Sequence, residues 1–175
     1  RNKSGQSGIS IPMVVSQSEG IKPWLSAFYY LREVGKFGIG GNNLSFYLEL
    51  LPDVKLQRTT VREKIDTNPK LRRALEFTSD AFQLIMTRPE YKDIEYIIPM
   101  EKLYKGLIDM GYDWDKLLET RGYPLIDNYN EDYPPYLSTP DLLDMYLGKY
   151  HPWWYPTDGI KNPCLDKDKN KSIAA

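Results

Sequence analysis

Histidine occurs once in these 175 residues, at His151, and cysteine once, at Cys164. A nucleophilic system of the Ser/His/Asp or Cys/His kind has only this imidazole to draw on, and closeness in sequence gives His151 and Cys164 no shared geometry. His151 precedes Pro152 in an aromatic, turn-prone stretch, so a structural or interface role is the expectation for it. The same scarcity excludes ordinary zinc sites, which gather several Cys and His ligands. Calcium uses oxygens instead, and Asp127-Asn128-Tyr129-Asn130-Glu131-Asp132 supplies them. The stretch nevertheless lacks the glycine and distal glutamate of the helix-loop-helix calcium pattern. With Asn128, Asn130 and Asp132 as alternate ligands, the twelfth position falls on Thr139. It reads as a polar turn before Pro134, with an irregular ion site as the alternative.

Phosphate chemistry is no better served. Gly35-Lys36-Phe37-Gly38-Ile39-Gly40-Gly41 has the composition of a phosphate cradle, but lacks the Walker spacing and follows a helical pattern rather than a strand. A permissive turn is the expectation. Carboxylate pairs such as Asp113 with Asp115, or Asp141 with Asp144, serve glycosidase chemistry only when set across a cleft, which sequence proximity does not establish. Asp141 has a simpler use in a helical first turn, where negative charge favours the positive end of the dipole.

The most informative segment is His151-Pro152-Trp153-Trp154-Tyr155-Pro156. Adjacent large aromatics flanked by prolines offer rigid apolar area with polar edges, which suits core closure, a protein interface, a sugar platform or a membrane headgroup layer. Together with Tyr133, Tyr136 and Tyr150, residues His151, Trp153, Trp154 and Tyr155 form the candidate partner-binding set.

Composition limits the partners. The 23 basic and 24 acidic residues give a net charge of -1, which argues against nucleic acid, because phosphate binding rests on clustered Lys and Arg. Hydrophobic residues at 41% and charged residues at 27% are enough for a real core, and the length suits one domain. Apolar runs such as 11–15 fall far short of the roughly 20 residues that span a bilayer. A peripheral place on a membrane complex stays open. The lone Cys164 identifies no redox compartment. The absence of an initiator Met at Arg1 reads as processing or trimming, and suits an organellar or a secreted protein. Asn2, Asn43 and Asn170 each begin a glycosylation acceptor triplet, of weight only in a secreted chain.

The elements expected to position these residues are mostly helical. Residues 1–20 read as a flexible arm around the apolar strip 9–15. Trp24, Phe28 and Leu31 predict a helix over 23–34, closed by Gly35. Residues 44–51 are a short helix or a buried strand, and 53–66 are weakly helical because Val54, Thr59, Thr60 and Val61 resist it. Asn68 and Pro69 open a helix over 69–87, and Pro99 opens one that Gly111 closes and that pairs with its predecessor. Asp113 caps a short helix ending at Gly122, and Thr139-Pro140 opens another ending at Gly148. Between and after these two, Tyr123, Tyr129, Tyr133 and Tyr136 alternate with Pro124, Pro134 and Pro135, a mixture that lies against surfaces.

The expected fold is therefore mainly α. It is a small irregular helical bundle over 21–122, with an extended N-terminal arm over 1–20, an aromatic, proline-rich docking extension over 123–160, and a mobile polar tail over 161–175. The expected function is a non-enzymatic accessory or scaffold subunit of a larger assembly, bound to other protein subunits and carrying no cofactor. The alternative is a carbohydrate-binding or carbohydrate-processing protein using Trp153, Trp154 and Tyr155. An extracellular or viral structural module is a third reading.

Overall fold

The computed structural model describes residues 12–42, 44–93, 95–127 and 129–165. Residues 9–11 of the apolar strip, the acceptor asparagines Asn2, Asn43 and Asn170, Asn128 of the acidic turn, and residues 166–175 of the tail lie outside the described residues. The chain divides into two compact units, Arg1–Met100 and Glu101–Ala175.

Among the described residues are the six α-helices named below, a further helical stretch at 163–165, one 3-10 turn and two antiparallel sheets, of two and three strands. At 44% helix and 12% strand the described residues make a mixed α/β class, which corrects the expectation of a mainly α bundle. The difference lies mostly in residues 39–56. The first unit opens with the hairpin β1 (Val15–Ser16) and β2 (Gly20–Ile21), followed by α1 (Pro23–Glu33). The glycine-rich stretch then supplies a strand, β3 (Ile39–Gly41), which pairs with β4 (Phe46–Leu48), itself paired with β5 (Leu51–Leu56). Gly40 lies opposite Tyr47, whose ring covers it so closely that a Cβ would collide. Glycine is needed there for the approach, and the ring shields the backbone that it bares.

The expected helix over 53–66 is divided between two elements. Pro52, Val54 and Leu56 turn inward while Asp53 and Lys55 are exposed, the period of two that a half-buried strand requires. Pro52 donates nothing to a ladder, and β5 tolerates it as an edge strand. Only α2 (Val61–Thr67) is helical, and Thr59 remains in the preceding turn, as its stiff side chain favours.

The long helix α3 (Pro69–Thr87) matches its sequence signals. Asn68 Oδ1 accepts the Leu71 N–H at 3.0 Å and Pro69 occupies the first turn. Its buried face, with Leu71, Leu75 and Phe77, joins Phe28 and Leu31 of α1 and Phe46 and Leu48 of β4 in the first core. Each such side chain contributes about 1.5–3 kcal/mol by leaving water. Phe28 meets Phe46 edge to face at 6.2 Å, and Arg32 covers the Phe46 ring at 4.2 Å.

In the second unit, α4 (Met100–Asp109) begins at the unit boundary and is closed by Gly111 at φ +95°. The Tyr112 N–H returns to the Leu107 carbonyl at 3.0 Å. Asp113 caps α5 (Trp114–Leu118), accepting from the N–H groups of Asp115 and Lys116. This helix stops at Leu118, short of the expected end at Gly122, with Glu119 as its C-cap. α6 (Thr139–Tyr146) starts at Thr139 as expected, and Ser138 before it is the cap, exchanging bonds with Asp141 in a capping box. Asp141 thus serves the helix start. Leu103, Leu107, Leu117, Leu137, Leu142 and Met145 fill the core of this unit. Among the described residues no helix is long and apolar enough to cross a membrane.

Candidate functional site

The site is built outward from one arginine. After α5 the chain passes through Arg121, only 6% exposed although it carries a full charge. Its backbone forms a parallel bridge with Tyr136: the Arg121 N–H donates to the Pro135 carbonyl at 3.0 Å, and the Leu137 N–H donates to the Arg121 carbonyl at 3.1 Å. Its side chain closes the same neck. Nε donates to the Pro134 carbonyl at 2.9 Å and Nη1 to the Tyr123 carbonyl, while the guanidinium lies 5.5 Å from the Tyr136 ring and 5.9 Å from that of Tyr123. Residues 122–134 therefore form a loop with its two ends held together, an Ω-loop tied by charge-assisted bonds. Along it, Asp127 Oδ1 accepts the Tyr129 N–H and Asn130 Oδ1 accepts the Asp132 N–H, turns in which a side chain replaces a backbone acceptor. Among the described residues no group of His, Cys, Asp and Glu is arranged to hold a metal ion.

Beside this loop lies a cleft of about 370 Å³, lined by Tyr129, Asn130, Glu131, Tyr133 and Pro135 from the loop side and by Trp153 and Trp154 from the C-terminal segment. Tyr129, Tyr133 and Trp153 are 73%, 54% and 63% exposed, so most of their ring area is available to a partner. Tyr129 and Trp153 lean on each other, centroids 4.8 Å apart and planes at 40°. Trp154 is half-buried, and its indole N–H donates to the Tyr136 carbonyl at 3.1 Å. Both walls are thus fixed to the neck that Arg121 closes.

The C-terminal segment is held by a second set of bonds. Tyr155 is buried, and its hydroxyl accepts the Asp113 N–H at 2.7 Å. His151 Nε2 lies 3.0 Å from the Tyr155 carbonyl and Nδ1 lies 2.9 Å from the Tyr112 hydroxyl. A carbonyl only accepts, so Nε2 carries the proton and Nδ1 accepts from Tyr112. Asn162, 2% exposed, donates to the Tyr112 oxygen at 2.9 Å, to the Tyr150 carbonyl at 2.8 Å and to the Met145 carbonyl at 3.3 Å. Burial pushes the Tyr112 hydroxyl up to about 12, partly offset by the Asn162 bond. Burial also raises Tyr150, with Asp141 and Tyr136 adding to it.

The seven expected partner-binding residues thus fall into two groups. Tyr133, Trp153 and Trp154 line the cleft, and Tyr136 stands at its neck. Tyr150, His151 and Tyr155 belong to the hydrogen-bonded set behind it, where both His151 nitrogens are engaged in holding the segment. Sequence reasoning did not single out Tyr129, Asn130 and Glu131 as lining residues, nor Arg121 and Asn162 as fasteners. For Arg121 a signal existed, since it is the only basic residue between Lys116 and Lys149. The cleft can stack, attract a cation to its ring faces and form hydrogen bonds at Asn130 and Glu131. Comparison of the chain with family models, with characterised proteins and with solved structures gives no match, so these capacities rest on the geometry alone.

Proposed function

We propose that the chain is a non-enzymatic accessory or scaffold subunit of a larger assembly, docking a protein partner through the aromatic cleft and the loop over 122–134. One observation carries this reading: three large aromatic side chains that a monomer gains by burying are more than half exposed, on a mount fastened by Arg121 and by the Trp154 indole. Aromatic area held in place loses little rotamer entropy on binding, which is why such residues anchor interfaces. The hairpin of the first unit supports a second contact, because Met13, Val15 and Ile21 are each more than half exposed there.

The test uses tagged full-length protein and extract from its source cells. Wild type should retain a stoichiometric partner that the Tyr129→Ala/Trp153→Ala double variant loses while keeping the wild-type melting temperature. Equal retention by both proteins, or by neither, refutes the reading. Carbohydrate binding keeps one specific support, the exposed Trp153 face beside Asn130 and Glu131. It predicts that glycan-array signal, rather than a retained protein, is what the double variant loses.

A further inference from the structure

The chemistry of the cleft narrows what its partner can be, a step that rests on the docking reading above. From residue 122 to 148 the chain carries five acidic residues, Asp127, Glu131, Asp132, Asp141 and Asp144, and no Lys, Arg or His. Three of the five lie in the loop, and Glu131 lines the cleft. Aromatic faces are the negative side of the ring quadrupole, so rings and carboxylates here favour the same sign of charge. Anionic partners, phosphate backbones and acidic lipid headgroups among them, meet repulsion. A purely apolar segment would cover Glu131 without supplying a partner for its charge, which burial penalises.

Arginine satisfies both features at once. Its planar guanidinium stacks on ring faces while its edge forks to a carboxylate, and it sheds water more readily than an ammonium. The chain itself sets guanidinium groups over ring faces, with Arg32 over Phe46 at 4.2 Å and Arg73 over Phe77 at 3.8 Å. We propose that the cleft receives an arginine from an extended segment of the partner protein. The guanidinium enters among Tyr129, Tyr133 and Trp153, with Glu131 as its counter-charge.

The test is a titration of the full chain, followed by the indole N–H resonances in nitrogen-15 correlation spectra and assigned with Trp153→Phe and Trp154→Phe. The probes are acetyl-Gly-Pro-Arg-Pro-Gly-amide, its Arg→Ala counterpart and a cello-oligosaccharide. The arginine peptide should move the Trp153 resonance and bind roughly three- to thirtyfold more tightly than the alanine peptide, as a cation-π contact joined to an exposed ion pair implies. That advantage should shrink in high salt and fall in Glu131→Gln to the part that the ring faces supply. Equal affinity for the two peptides overturns the arginine assignment while leaving the docking reading in place. A Trp153 shift with the oligosaccharide and none with either peptide overturns both. Resonances that move with protein concentration alone make a second copy the occupant and overturn the assignment too. No shift with the arginine peptide also overturns it, and the retention experiment then decides the docking reading separately.

Discussion

Replacing Arg121 by Met tests whether one side chain holds the loop over 122–134. Methionine keeps an unbranched apolar stem and removes the guanidinium. The bonds lost include those from Nε to the Pro134 carbonyl and from Nη1 to the Tyr123 carbonyl, each charge-assisted and so worth about 1.5–3 kcal/mol. Against their sum stands the desolvation of a charge only 6% exposed, which the substitution relieves. The net loss should be about 2–3 kcal/mol, on the scale of those hydrogen bonds. It should fall first on the neck. The Leu137 N–H, bonded to the Arg121 carbonyl, should exchange with solvent roughly 30- to 150-fold faster in the variant, that free energy expressed as a ratio. Urea unfolding followed by tryptophan emission reads mainly the second unit, where Trp114, Trp153 and Trp154 lie. Arg121→Lys should recover no more than part of the loss, because an ammonium lacks the fork that reaches two carbonyls. A variant that loses less than about 0.5 kcal/mol, the range of ordinary surface substitutions, with unchanged Leu137 exchange, would refute the clamp.

Two further outcomes follow from the bonds behind the cleft. Asn162→Ala should lower stability by about 2–3 kcal/mol, since it withdraws one buried amide from the Tyr112 oxygen and from two carbonyls. Asn162→Asp should be worse at pH 7 than at pH 4, because an ionised carboxylate faces those same carbonyls with no proton to give; thermal melts at the two pH values check both. Tyr112 is raised from 10.0 to about 12 by burial, so the folded state resists its ionisation. Stability should be full below pH 10 and fall as pH rises towards 12, when the unfolded chain releases this proton and the folded chain retains it. The interval corresponds to about 2.7 kcal/mol at most. Urea midpoints from pH 9 to pH 12 measure the fall, and Tyr112→Phe should remove most of it; an equal slope in the variant would show that other groups carry it.

What the sequence discloses and what it conceals divide along the range of the interactions. Asn68 before Pro69, Gly111 after Met110 and Asp113 before Trp114 are local signals: cap, turn and helix lie within a few residues of each other, and each places an end of its helix. The three-stranded sheet is not legible in this way. Its β3 and β4 strands are three residues long, too short for a period of two to repeat, and β3 is drawn from a glycine run whose composition speaks for a turn. The alternation in β5 is present, but it spans six residues and is followed after a short turn by α2, so strand and helix share the stretch read as one weak helix. The aromatic segment over 151–156 announced itself by composition, yet composition does not sort a ring that closes a core from one that faces outward. That sorting depends on partners distant in sequence: the Asp113 N–H donates to the Tyr155 hydroxyl across 42 residues, and Asn162 reaches Tyr112 across 50.

This sorting bears directly on function. Polar edges of Tyr155, Tyr112 and Trp154 are engaged within the second unit, so these residues gain stability from their rings and hydrogen bonds together. Tyr129, Tyr133 and Trp153 leave most of their ring area in water, where a large apolar surface gains the folded chain little and invites association. If fold stability alone accounted for the aromatic richness of 123–156, the exposed rings would be dispensable and isolated. Tyr129 and Trp153 are instead in contact with each other, over a cleft whose walls meet at the neck held by Arg121. The buried members of the segment hold the mount and the exposed members face what it is mounted for. Substitutions in the first group should therefore act on folding, and substitutions in the second on association.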